Sequence, residues 1–337
     1  MKKAAEQTLT ASNKEWQKII EQFPEANFPQ SPEYAKMNEL LGNKVIIERF
    51  NNKGYAAMFV KNAKRGRYLE IPCGPLIDWN NVELAESTIE QIKQIASTER
   101  CVFVRIRPQI NNTPDNLAKM SALGLKKSPM HLAAEHTVMI DLSLSEDDLL
   151  KNMRRQTRYE VRRAEKLGIK VSSSNSDEIF KEFHRVQADT AKRQGFIPPS
   201  LKVLMAEKEA FGKNIRIYFA ETDTGERIAY GLIIKNGNEG DYFEAASTPL
   251  NRKLPGAYAL LWQVTKDLKK EGYQRFNLWG IAPAGQPNHR YAGVTTFKTG
   301  FGGAVVEFVP AHDIVISRMR YLKDLVIEKA RKKKRHL

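Results

Sequence analysis

The sequence predicts a mixed α/β (α+β) chain built as two tandem domains of one design. Its 337 residues exceed the roughly 100–200 residues of an ordinary domain. Short runs of alternating apolar residues are interleaved with stretches of helical spacing, which calls for strands and helices in one chain. The order of these runs recurs once at an offset of about 170 residues, with little residue identity between the copies. Hydrophobic residues at 42% and charged residues at 28% exclude a disordered or collagen-like chain.

In the first copy, helical spacing covers residues 13–22 and 32–41. Residues 45–50 alternate as a strand, Asn51-Asn52-Lys53-Gly54 turns, and residues 55–60 return, with Gly54 expected to supply the turn's positive φ. A third strand, 68–71, runs into Pro72-Cys73-Gly74-Pro75; a helix over 82–97 and a strand over 102–106 follow. The second copy has helices over 178–192 and 199–210 and a strand at 215–221. Asp223-Thr224-Gly225 then turns, and strands at 228–235 and 241–245, a helix over 256–270 and a strand over 275–279 complete it. Helices, an antiparallel hairpin with a third strand, then a helix and another strand is the order of an N-acetyltransferase-like (GNAT-like) domain. The expectation is therefore two tandem GNAT-like domains with mixed, mainly antiparallel sheets. The first spans 1–144, with a C-terminal helix over 315–337 packing back on it. The second spans 145–314, and the join falls near 142–147.

The formal net charge of +15 is concentrated. Residues 151–170 hold eight basic and two acidic residues, and residues 318–337 hold nine and two. Clustering of this kind points to a polyanionic partner, although charge runs are often only solvated faces. The first segment reads as one helix, capped by Ser145 and stopped by Gly168. Met153, Val161, Ala164 and Leu167 share its apolar stripe, and Arg154, Arg158 and Arg162 form a basic row. The tail continues a helix whose apolar residues Ile314, Met319, Leu322, Leu325 and Val326 would pack. Its cationic end, Lys329 to Leu337, suits anionic lipid, RNA or plain solvation.

Two cysteines, Cys73 and Cys101, exclude a disulfide framework, a cysteine zinc site and a CxxC redox motif. No run of about 18 apolar residues predicts a transmembrane helix, and residues 1–10 lack the apolar core of a secretory leader. The expected location is cytoplasmic. The six histidines offer no metal set: His131 and His136 stand five apart, not at the spacing of HExxH. There is no Ser-His-Asp order and no GxSxG elbow.

Several stretches together resemble a known family. They are Gly256-Ala257-Tyr258-Ala259-Leu260-Leu261, Phe276-Asn277-Leu278-Trp279-Gly280-Ile281, and Gly293-Val294-Thr295-Thr296-Phe297-Lys298-Thr299-Gly300-Phe301-Gly302-Gly303. The basic helix, Thr190-Ala191-Lys192-Arg193-Gln194-Gly195-Phe196, and Phe28-Pro29-Gln30-Ser31 leading to Tyr34 and Lys36 match as well. In order and spacing the chain resembles the Fem family of aminoacyl-tRNA-dependent peptidyltransferases, which build interpeptide bridges in bacterial peptidoglycan. The resemblance implies that a stem-peptide amine of a UDP-linked or lipid-linked muramyl pentapeptide attacks the ester of an aminoacyl-tRNA. Aminoacyl-tRNA is then the co-substrate, with no cofactor. The coiled-coil arm of some members is absent here, as in the compact members that accept the soluble precursor.

The amine, with an ordinary pKa near ~10.4, must lose a proton before attack, and the tetrahedral oxyanion needs stabilising. By resemblance Lys298 occupies the family's active-site lysine position, beside a Gly300 to Gly303 turn where backbone can approach a ligand. Phe297 would wall the pocket or belong to the core. Lys36 matches a family lysine on the precursor's phosphates, and Arg193 is a further phosphate candidate. Tyr242, Tyr258 and Tyr291 are cleft or core. Two departures from the family pattern stand out. Pro198 and its neighbours replace a nucleotide-holding Arg and Tyr, and Arg107 replaces an acidic residue before Pro108. A cation at Arg107 favours a phosphate or carboxylate and cannot act as a base.

Two other classes fit the composition. A CoA-dependent N-acyltransferase would need a phosphate loop at Arg252-Lys253-Leu254-Pro255-Gly256-Ala257, where Pro255 removes a backbone donor. A non-catalytic RNA-binding or membrane-surface protein would work through the basic helix and tail alone.

Overall fold

The computed structural model describes residues 13–63, 66–286, 289 and 291–335. Residues 1–10, read above as no secretory leader, lie outside them, as do the last two residues of the tail. Along the chain run α1 (Asn13–Ile20), α2 (Pro32–Leu40), β1 (Lys44–Phe50), β2 (Gly54–Ala63), β3 (Gly66–Pro72), α3 (Val82–Thr98), β4 (Phe103–Arg107), α4 (Pro114–Ala122), β5 (Lys126–Lys127) and β6 (His136–Asp141). Then come α5 (Glu146–Asn152), α6 (Arg155–Lys166), β7 (Lys170–Ser174), α7 (Asp177–Gln194), α8 (Leu201–Phe211), β8 (Ile215–Glu221), β9 (Arg227–Asn236) and β10 (Glu239–Ser247). The chain closes with α9 (Gly256–Lys270), β11 (Arg275–Asn277), α10 (Ala292–Thr299), β12 (Ala304–Glu307), β13 (His312–Val315) and α11 (Arg318–Arg335).

The chain divides into two compact units, Met1–Glu135 with Glu307–Leu337, and His136–Val306. Among the described residues the first unit holds a six-stranded sheet, β1-β2-β3-β4-β13-β5. β1, β2 and β3 pair antiparallel in turn, and β3 pairs parallel with β4 after the α3 crossover. Asn81 caps α3 by accepting the Leu84 N–H at 3.0 Å. Leu84, Ala85, Ile89, Ile92 and Ala96 recur at helical spacing and pack on Met58, Val60, Leu69, Ile71, Val104 and Ile106. Each large buried aliphatic side chain contributes roughly 1.5–3 kcal/mol by leaving water.

The second unit repeats the plan in a seven-stranded sheet, β12-β6-β11-β10-β9-β8-β7. β8, β9 and β10 pair antiparallel, and β10 pairs parallel with β11 after the α9 crossover. Leu260, Leu261, Val264 and Leu268 of α9 bury against Ala220, Ile233, Tyr242 and Phe276. The predicted repeat is thus a repeat of pairing: β1-β2-β3-α3-β4 corresponds to β8-β9-β10-α9-β11.

Several elements differ from their sequence reading. The predicted join near 142–147 follows β6, but β6 is already part of the second sheet, where it pairs with β11. Ile314 lies in β13 rather than in the last helix, and β13 pairs with β4. Helix 145–168 is broken: Met153 is extended (ψ 147°), and the Arg154 N–H donates to the Gly300 carbonyl at 2.8 Å. In the first hairpin Asn51 and Asn52 take positive φ (49° and 54°) instead of Gly54, since asparagine tolerates that region. Gly54 is required for space, because a Cβ there would sit 2.5 Å from Ile77 Cγ2. On α11, Met319, Leu322 and Val326 face outward instead of packing.

Candidate active site

Lys298 is buried near the C-terminal end of α10, only 7% exposed. Its Nζ donates to the Gly280 carbonyl at 2.9 Å and stands 5.7 Å from the centre of the Tyr242 ring. Among the described residues no carboxylate pairs with it, and burial alone lowers its pKa to about 7. Beyond β11 the chain passes Trp279 at φ +58°. The Leu278 and Ile281 N–H groups donate to the carbonyls of Val138 and His136, at 2.9 and 3.0 Å. That segment turns the Gly280 carbonyl toward α10. Thr295 fastens it from the other element by accepting the Ala282 N–H at 2.8 Å.

The glycines after Lys298 serve packing. A Cβ at Gly300 would meet Thr157 Oγ1 at 2.3 Å, at Gly302 the Asn152 oxygen at 2.3 Å, and at Gly303 the Met139 oxygen at 2.6 Å. Gly302 also has φ +83°. The turn expected to approach a ligand instead brings the end of α10 against the α5–α6 break and β6.

Phe297 sits edge-on to Tyr258 and Phe301, with ring centroids 5.0 and 5.4 Å apart, and Tyr258 stacks on Phe301 at 6.0 Å. Phe297 and Tyr258 therefore form an aromatic wall continuous with the core. A groove of about 360 Å³ runs along α10, lined by Ile281, Ala282, Thr295, Thr296, Thr299 and Val305 among others. Tyr291 stands just before α10, its ring 5.3 Å from that of His289.

The other expected residues are distributed over both units. Lys36 is exposed on α2. Arg193, exposed at the end of α7, donates from Nη2 to the Ser247 carbonyl and to Thr190 Oγ1. Arg107 is 1% exposed in β4, with its guanidinium on the Cys73 sulfur and 5.1 Å from the Phe308 ring centre. Its Nε and Nη1 meet no acceptor among the described residues. Burial would raise the nearby Glu135 carboxyl. Hydrogen bonds from His131 and the Ala311 N–H, with the charges of His131 and Arg107, hold it below its usual range instead.

The three arginines expected to form one basic row have different duties. Arg154 donates to the Thr296 carbonyl. Arg158 reaches back to the carbonyls of Lys151 (2.9 Å) and Met153 at the end of α5. Arg162 is exposed on α6.

The sequence reading did not single out Glu207 and Glu244. These two carboxyls interact, and Gln187 Nε2 donates to Glu244 at 2.7 Å. Burial raises both, Glu244 to about 7, while Gln187 opposes the rise at Glu244. They come from α8 and β10, so no local motif announces them. At the α9 N-terminus, Gly256 N–H bonds to the Leu254 carbonyl and Ala257 N–H to Asn251 Oδ1, both at 2.9 Å. A pyrophosphate would have to displace these bonds. Among the described residues no group of three or more His, Cys, Asp or Glu is placed to hold a metal.

Comparison with known proteins adds to this geometry. The profile of the FemAB family matches residues 11–230 and 224–329. The aminoacyltransferase FemA of Staphylococcus aureus (strain MW2) is 21% identical over an alignment covering 89% of this chain and 93% of FemA. The crystal structure of FemX superposes with a TM-score of 0.82 at 17% identity, covering 94% of this chain and 98% of FemX. L-PGS from Bacillus licheniformis shares the fold more distantly, with a TM-score of 0.54 at 13% identity, covering 89% of this chain and 96% of L-PGS.

Proposed function

The chain belongs to the FemAB family, and on that premise we propose that it is an aminoacyltransferase. It moves an amino acid from aminoacyl-tRNA to the stem-peptide amine of a peptidoglycan precursor, UDP-linked or lipid-linked, forming an interpeptide bridge in cell-wall synthesis. The observation that carries this reading is the Lys298 amine, buried beside the Gly280 carbonyl and the Tyr242 ring. In the proposed reaction the deprotonated stem amine attacks the ester carbonyl and the C–O bond to the ribose breaks. A cation in a site poor in water stabilises developing oxygen charge more than a surface lysine does. An acid with a pKa near 7 also matches proton delivery to the departing ribose oxygen at neutral pH. Phe297 and Tyr258 wall the site. Lys36, Arg193 and Arg107 are the candidates for precursor anions, and Arg107 needs local opening to reach one. Arg162, with Arg154 and Arg158 beside it, is the candidate face for tRNA.

Aminoacyl-tRNA is the co-substrate, and no cofactor or metal enters the proposed reaction. Its substrates place the protein in the cytoplasm. The cationic C-terminal helix is the candidate for peripheral contact with the inner face of the membrane.

The test supplies the protein with bulk tRNA charged with radiolabelled amino acids and either the UDP-linked or the lipid-linked muramyl pentapeptide. Label is expected to move into at least one precursor, and Lys298→Ala is expected to lower transfer by about 10²-fold or more while tRNA binding survives. Absence of transfer to both acceptors would sink the reading.

A further inference from the structure

α11 presents two apolar faces. Tyr321 and Leu325 pack on Phe103, Tyr68 and Val315 of the first unit. The second face is open: Met319, Leu322 and Val326 are 82%, 60% and 69% exposed. Their spacing of i, i+3 and i+7 puts them in one stripe. Arg318, Arg320 and Lys323, all exposed, fall on either side of that stripe. Single exposed apolar residues need no explanation, but a stripe on one helix does. Leu322 also lines a groove of about 430 Å³ with Val315, Tyr321 and Leu325, and Lys126, Lys127 and Arg318 line it too.

We propose that this face docks the protein on an anionic lipid bilayer. α11 lies in the headgroup plane, with Met319, Leu322 and Val326 among the first acyl carbons and Arg318, Arg320 and Lys323 on lipid phosphates. Lys126 and Lys127 in the adjoining groove meet a further headgroup. RNA would satisfy the cations but leave the stripe in water. A second copy of the chain would cover the stripe but bring like charges together across a two-fold axis. A lipid surface satisfies both at once. The inference deepens the membrane contact proposed above and is independent of the transfer chemistry.

The test is sedimentation of the full chain with vesicles of phosphatidylcholine alone or mixed with phosphatidylglycerol. Binding is expected to the mixed vesicles and to be negligible on the neutral ones. Met319→Ser/Leu322→Ser/Val326→Ser should lower partition at least about tenfold, since each buried methylene contributes roughly fourfold. Arg318→Ala/Arg320→Ala/Lys323→Ala should lower it by about fivefold per cation. Both variants alter exposed side chains, so unchanged circular dichroism and unchanged transfer to the soluble UDP-linked acceptor are expected. The proposal is overturned if the chain ignores the mixed vesicles, if the serine variant binds like the parent, or if serine substitution abolishes self-association instead. Vesicle binding without transfer to any acceptor would uphold the docking face and overturn the aminoacyltransferase reading.

Discussion

At Lys298 the chain buries an amine with one carbonyl and one aromatic face to meet it. Burial makes the charged form costly, which is why its pKa falls to about 7. Between that value and the unfolded lysine's ordinary one, the unfolded chain binds one more proton. Stability from this group therefore rises with pH across that window and is lowest below pH 7. Lys298→Met is expected to raise the melting temperature more at pH 6 than at pH 9, read by calorimetry, while transfer is lost at both. An equal shift at both pH values would show that Lys298 carries no perturbed proton. The position of Lys298 was legible in Phe297-Lys298 followed by Gly300-Phe301-Gly302-Gly303. Its burial was not, because Gly280 and Tyr242 come from separate stretches of chain. Arg107 was legible as a departure in charge, but only the packing of β4 shows it enclosed by Cys73 and Phe308.

Among the elements, the broken basic helix changes what its arginines do. The Arg158 guanidinium satisfies the carbonyls that α5 leaves open at its end. Arg158→Ala should cost about 1 kcal/mol of stability, measured by denaturant unfolding. Arg162→Ala should leave stability unchanged and reduce the salt slope of tRNA binding by about 0.7–1. If instead both variants shift binding equally without touching stability, the capping role of Arg158 is wrong. The break has its cause in the contact with Gly300 and Gly302. Gly302→Ala should therefore destabilise by about 2–4 kcal/mol, from left-handed strain plus overpacking against Asn152. A helical pattern read from sequence cannot see this, because Met153, Val161 and Ala164 keep a helical stripe whether or not the backbone bends between them.

Over the whole molecule, the first unit is assembled from the two ends of the chain. β13 inserts between β4 and β5, and Arg105 meets Asp313 there through Nε–Oδ1 at 2.7 Å and Nη2–Oδ2 at 2.9 Å. The Tyr321 hydroxyl of α11 donates to the same carboxylate at 2.9 Å. The pair is buried, with side chains 6% and 0% exposed. Asp313→Ala removes both bonds to the buried Arg105 guanidinium and the acceptor of the Tyr321 hydroxyl, and should cost about 3–5 kcal/mol. Calorimetry should show the loss in the transition of the first unit, and a uniform shift of all melting would contradict the assignment. No described helix is long and apolar enough to cross a membrane.

Local pattern by itself determined the two passes of strands, their crossover helices and the family. Alternation, turn residues and helical spacing act within a few residues of chain, and the motifs of the family are contiguous. Tertiary structure alone decided four things. It set the membership of β6 and β13 in their sheets, because pairing partners there lie far apart in sequence. It placed the break at Met153, through glycines of another element. It depressed the Lys298 amine, because desolvation depends on everything packed around a group. It also turned Met319, Leu322 and Val326 outward: an apolar stripe specifies a face of a helix, and only the packed neighbours decide which face is covered.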